Sequence, residues 1–217
     1  MLEKMYNTAK KQKLDIVVCD SVNVYEDGRE EYIKSNLNYS NNNIKNYLNA
    51  HPMACVRLFK KELFDFIKFK KNIYYEDLEL SPKMVKYTKK VGFVNEGLYY
   101  YRQRSGSIMK QKQFNDRVLD IFDVLESNKK ILEKEYFEEI EYMYITHLLR
   151  TATLRFLSYE NNRKYIKKIR KIMKNEFPKW RKNIYYKKSS KKLKIICNLA
   201  YLNQIKILEI IKKKTNK

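Results

Sequence analysis

The sequence predicts an α/β fold: a small mixed sheet in the first half of the chain, then an all-helical, basic second half. Three observations carry this. "LDIVVCDSVNVY", residues 14–25, opens on a continuous apolar run rich in Val and Ile, as in a strand buried on both faces. "VGFVNEGLYYYRQR", residues 91–104, is rich in strand-forming Val, Phe and Tyr and reads as one or two strands bent at Gly97. From Phe114 onward, apolar residues recur at helical spacing.

Each element follows from its own pattern. Leu2, Met5, Tyr6 and Ala9 share a helical face, so residues 1–13 are expected to form a short helix. After the 14–25 strand, "EDGRE" is a turn, and "EYIKS" is expected to pair back as a hairpin. "NYSNNN" is a polar loop, and Ile44, Tyr47 and Leu48 suggest a short helix. Val118, Ile121, Phe122, Leu125, Ile131 and Leu132 mark one later helix; Tyr142, Ile145, Leu148, Leu149, Ala152 and Phe156 mark another. A last helix is expected from about Leu193 to Ile211, with Leu193, Ile196, Leu199, Leu202, Ile205 and Ile210 on a broad apolar stripe. A chain that opens on a helix and only then enters a buried strand reads like the second part of a longer doubly wound unit.

Composition sets limits. The 217 residues are 44% hydrophobic, which is enough for a core, and only four are Gly, too few for nucleotide-cradling loops. From Glu160 to the end, 20 lysines and arginines face three glutamates, so this tail carries +17 of the net +22. The basic character therefore belongs to the tail. Cys19, Cys55 and Cys197 are far apart and have neither disulfide-framework nor metal spacing, which suits a reducing, cytoplasmic setting. No run of about 18 apolar residues suggests a spanning helix, and the first residues have no signal-peptide core. His51 and His147 are isolated from Cys and acids at metal spacing.

The chemistry concentrates in "NIYYEDLELSP", residues 72–82. Glu76 and Asp77 follow two tyrosines and open an element whose next residues include Leu78 and Leu80. The helix is expected to start near Asp77, with Pro82 in its first turns, where proline costs little. A carboxylate at a helix N-terminus is stabilised as an anion. Fixed, ionised and facing a cleft, it is equipped to act as a general base. An isolated Glu-Asp pair is usually a helix cap; the context changes the reading.

The stretch "NIYYEDLELSPKMVKYTKKVGFVNEGLYYYRQRSGSIMK", 72–110, resembles the second half of the catalytic domain of bacterial family 2 glycosyltransferases, which have the GT-A fold. In that family an aromatic-flanked Glu-Asp opens a helix; strands follow, the second ending in a Tyr-Tyr-Tyr-Arg-like run and a Gly-Ser-Ile turn. "RLFKKELF" and "LEKMYNTAKKQKLDIVVCDSVNVYEDG" are similar to segments that precede that motif. The resemblance covers residues 1–110, the acceptor-side half of such a domain. Residues 111–217 form the helical region with the basic amphipathic tail.

The resemblance implies an inverting, nucleotide-sugar-dependent transferase of cell-surface polysaccharide or glycolipid synthesis. Asp77 matches the acid that removes a proton from the acceptor hydroxyl, and Glu76 would orient it or bind acceptor. Arg102, Arg104 and Ser107 match the loop near acceptor or donor phosphates. Its partners would be a nucleotide-sugar donor and a glycan or lipid-linked acceptor. The family uses a divalent metal, Mg or Mn, held by an Asp-x-Asp that this chain lacks. The resemblance therefore implies a truncated form without the donor half. The amphipathic tail, 160–217, is expected to meet an anionic membrane surface, making the protein cytoplasmic and peripheral. The other reading is a non-catalytic basic protein that binds anionic membrane or nucleic acid. No nucleic-acid motif is present, so nucleic acid is not the expected partner.

Overall fold

The computed structural model describes residues 1–104, 113–159 and 163–215. The chain divides into two compact units, Met1–Gln111 and Lys112–Lys217.

Unit 1 is a mixed α/β layer consistent with a partial Rossmann-like fold, as the sequence predicts. Helix α1 (Leu2–Gln12) leads into β1 (Ile16–Val24), the central strand. Every residue of β1 from Ile16 to Val22 is buried. Strand β2 (Glu30–Ile33) pairs antiparallel with the second half of β1, completing the expected hairpin. A short β3 (Arg57–Phe59) pairs antiparallel with the first half, Ile16–Val18. Helix α2 (Asn43–Asn49) lies between β2 and β3 in sequence, capped by the Asn42 side chain on the amides of Ile44 and Lys45.

On the other side of β1, β4 (Val91–Arg102) runs parallel, from Ile16↔Val91 to Val24↔Arg102. A parallel partner needs a long crossover, and here it carries the acidic motif. Strand β4 has twelve residues against nine in β1. The three extra residues are taken up by register shifts on either side of the Asp20↔Gly97 pair. The segment is thus one strand, irregular at Gly97.

Local contacts fix the entry to the sheet. Helix α1 ends at Lys13, whose φ is 54°, and Leu14 then packs against β4. A Cβ at Gly92 would sit 2.3 Å from Leu14 Cδ1, so a larger residue here would have to move the Leu14 side chain. The Asp15 carboxylate accepts from the amides of Lys89 and Lys90, at 2.8 and 3.0 Å, tying the start of β1 to the residues that enter β4.

Unit 2 is helical throughout its described residues. Helix α4 (Asp120–Leu132) buries Ile121, Val124, Leu125 and Leu132. Helix α5 (Phe137–Met143) runs through a wide π-type segment, Tyr144–Ala152, into α6 (Thr153–Phe156). Helix α7 (Arg163–Glu176) turns Ile166, Ile169 and Met173 inward. Trp180 is fully buried ahead of α8 (Ile184–Lys188). Asn183 holds this corner: its Oδ1 caps the Tyr185 and Tyr186 amides, and its Nδ2 donates to the Glu138 carbonyl and the Glu141 carboxylate.

The expected single last helix is two, α9 (Lys191–Tyr201) and α10 (Ile205–Thr215). Asn203 takes a left-handed φ of 62°. The Gln204 amide returns to the Leu199 carbonyl at 2.8 Å, and the Asn203 amide to Ala200, which closes α9. Asn tolerates this conformation better than most residues. The single apolar stripe is lost as a result: Ile196 and Leu208 are buried, whereas Leu202 and Ile210 are exposed. No helix among the described residues is long and apolar enough to cross a membrane.

Candidate active site

The acidic pair is set by backbone geometry. Tyr75 adopts φ 64°, ψ 31° immediately before α3 (Glu76–Leu80), and Asn72 also has positive φ. A bulky residue in this region is strained, and such strain recurs at functional sites. Leu78 and Leu80 are buried, which anchors the turn. Glu76 points to solvent and Asp77 is half-buried, so the two adjacent acids meet different surroundings.

The helix is shorter than the sequence suggested. It stops at Leu80, and Pro82 begins a separate 3₁₀ turn, Pro82–Lys86. Ser81 holds the junction: its carbonyl accepts from the Tyr47 hydroxyl at 2.8 Å, and its hydroxyl donates to the Pro52 carbonyl at 3.3 Å. Beneath it, Glu79 and Lys83 form a buried ion pair.

Asp77 does not have the electrostatics expected of a helix-stabilised anion. Burial pushes its carboxyl above the usual carboxylate range. The Ala54 amide donates to it and opposes the shift; Glu76 raises it further, and Arg57 lowers it. Five residues of helix supply little macrodipole, so desolvation prevails. The result is a carboxylate that binds a proton more readily than a surface Asp, which suits a base.

Arg57, at the start of β3, was not singled out by the sequence. It is 8% exposed, with its guanidinium 4.6 Å from the Tyr47 ring centroid. One terminal nitrogen donates to the His51 carbonyl at 2.9 Å; Nε and Nη1 have no hydrogen-bond partner among the described residues. Burial pulls its pKa down, and the nearby Asp77 is among the groups that hold the charge. Arg57 also anchors the segment whose Ala54 amide holds Asp77, since Ala54–Val56 is a 3₁₀ turn leading directly into it. Cys55, on that turn, receives a hydrogen bond from the Tyr99 hydroxyl of β4. The turn therefore brings Asp77, Arg57, Cys55 and Tyr99 into one neighbourhood.

The other expected site residues sit further along. Arg102 is the last residue of β4, opposite Val24, and is exposed, as is Arg104. Neither forms an ion pair among the described residues. Ser107 lies outside the described residues. Tyr99 and Tyr101 stack on one face of β4, with ring centroids 6.4 Å apart, and Tyr100 is exposed.

A divalent cation does not fit here. Among the described residues, no three His, Cys, Asp or Glu side chains converge as a ligand set. Asp15 caps backbone amides, as described above. Asp20 is buried and accepts from the Tyr32 hydroxyl at 2.7 Å and the Ser35 amide at 2.6 Å.

No family model matches the chain. It is similar to the glycosyltransferase GlyG of Streptococcus pneumoniae serotype 4, at 26% identity over 177 residues, which takes in 67% of this chain. The chain spans 59% of the length of that curated relative. This likeness supports a glycosyltransferase.

Proposed function

We propose that the chain is the acceptor-side part of an inverting family 2 glycosyltransferase with the GT-A fold, acting in cell-surface polysaccharide or glycolipid synthesis. The observation that supports this most is Asp77: a half-buried carboxylate held by the Ala54 amide, raised in pKa, in a chain similar to a glycosyltransferase.

The chemistry would run as follows. Asp77 accepts the proton of an acceptor hydroxyl as that oxygen bonds to the anomeric carbon of a nucleotide sugar. The bond from that carbon to the phosphate oxygen breaks, and the nucleoside diphosphate leaves with the electron pair. Glu76, exposed beside Asp77, orients the acceptor. Arg102 and Arg104, with Ser107, would bind acceptor or donor phosphates, since guanidinium groups pair well with phosphate. The donor and any Mg or Mn would be held by residues beyond those of this chain. The basic second unit would hold the protein peripherally at an anionic membrane surface.

The test is a nucleotide-sugar panel. The chain completed with a family donor half, incubated with membrane glycolipid acceptors, is expected to release nucleoside diphosphate from at least one donor in an acceptor-dependent way. Release from none, by protein that is folded and membrane-bound, would contradict the proposal.

A further inference from the structure

Helix α7 repeats cations on one face. Arg163, Lys167 and Arg170 fall at i, i+4 and i+7, so they project together, while Ile166 between them is buried as a floor. The turn Asn203–Gln204 and the first residues of α10, including Lys206, stand opposite. The two walls enclose an open cleft of about 530 Å³.

Charge in this cleft is unbalanced. Among the described residues that line it, four are cations and none is a carboxylate. Arg163, Lys167 and Lys206 make no ion pair among the described residues. Arg170 donates from Nε to the Tyr201 carbonyl at 2.9 Å, which fixes the guanidinium against the end of α9. A fixed guanidinium is pre-organised for bidentate binding of an oxyanion. Asn203 and Gln204 add neutral donors, and the first amides of α10 have no intrahelical acceptor. Clustered like charges repel, and a multiply charged anion would relieve that repulsion.

We propose that this cleft binds a phosphate-bearing ligand, a phosphomonoester or diphosphate group. Carboxylates are less suited, because one negative charge would leave most of the cluster unneutralised. Such a group could belong to a membrane lipid or to a free phosphate compound. Leu202 and Ile210, 57% and 56% exposed, lie on the same turn and helix. The inference stands apart from the role of Asp77.

The experiment uses the whole chain and two kinds of probe. Sodium pyrophosphate is titrated by calorimetry. In parallel, sedimentation is measured with vesicles of phosphatidylcholine alone, with phosphatidylserine, or with phosphatidic acid at matched surface charge. The cleft variant is Lys167→Glu with Lys206→Glu; the control is Lys174→Glu with Lys182→Glu, which has the same net charge. All four lysines are exposed.

Pyrophosphate binding, or a preference for phosphatidic acid over phosphatidylserine, is expected for the parent. The cleft variant should bind at least about tenfold more weakly, and the control within about twofold of the parent. Pyrophosphate binding without vesicle preference identifies a free phosphate compound as the source; vesicle preference without pyrophosphate binding identifies a lipid headgroup. Lys206→Gln alone gives a milder loss and serves if the double variant fails to fold. Binding of neither probe, or equal loss in cleft and control variants, would overturn the proposal.

Discussion

The guanidinium of Arg57 stacks on the ring of Tyr47, 4.6 Å from its centroid, and acts through space on Asp77. A buried cation with two nitrogens unpartnered among the described residues contributes little to stability. Its consequence here is electrostatic. Arg57→Met keeps similar volume and removes the charge. Stability should stay within about 1 kcal/mol of the parent, whereas Asp77 should titrate at higher pH, as followed by its carboxyl ¹³C shift. An unchanged Asp77 midpoint would show that Arg57 only packs.

Asp77 itself should cost stability at neutral pH. Its folded pKa lies above the ordinary 3.8. The stability associated with the protonated carboxyl is present below the unfolded value and is lost as pH rises through the folded one. Asp77→Asn, which can still accept from the Ala54 amide, avoids that loss. Its melting temperature should exceed the parent's at pH 7, and the two should converge as the pH falls below the ordinary carboxylate range. Convergence in the opposite direction would show that the carboxylate is stabilised in the fold.

Gly97 tests the register of the sheet. An added Cβ would lie 2.7 Å from Val22 Cγ2 and 2.9 Å from the Tyr32 ring. Gly97→Ala should therefore push Tyr32 off Asp20 at a cost of about 1–3 kcal/mol. The Tyr32 phenol, raised to about 12 chiefly by its bond to Asp20, should move back toward 10. The Tyr32 ring resonances followed against pH by NMR read this directly, and an unmoved phenol would mean that the pair adapts.

In unit 2, Asn183→Ala removes a helix cap and the hydrogen-bond partner of the buried Glu141. The expected cost is about 2–4 kcal/mol in urea unfolding. Deleting residues 190–217 would be a poorer probe of membrane binding, because Ile196, Cys197 and Ala200 belong to the core. Charge reversal at exposed lysines separates surface attraction from folding.

Much of the architecture is legible in the sequence because single patterns dictate it. The Val-rich run of β1, the hairpin into β2 and the helical spacing after Phe114 each need only local information. The breaks are harder to read. Asn203 ends α9 through a left-handed turn that only the returning amides reveal, and Pro82 starts a new turn where it was expected to sit inside α3. Asp77 could be chosen from its neighbours in sequence, but the sign of its pKa shift depends on burial by a fold still to be formed. Arg57 lies 20 residues before Asp77 and looks like an ordinary basic residue. Only the pairing of β3 with β1 buries it next to the acid.

The central claim is that Asp77 is the base of a sugar transfer. The most direct measurement is the transfer rate of the chain, completed with a family donor half, carrying Asp77→Asn or Glu76→Gln, with melting temperature recorded alongside. Asp77→Asn should lose about 10²–10⁴ in turnover, with no loss of melting temperature at pH 7, and Glu76→Gln should lose less. Transfer at the parent rate by folded Asp77→Asn would contradict the account and leave the pair as the cap of a short helix.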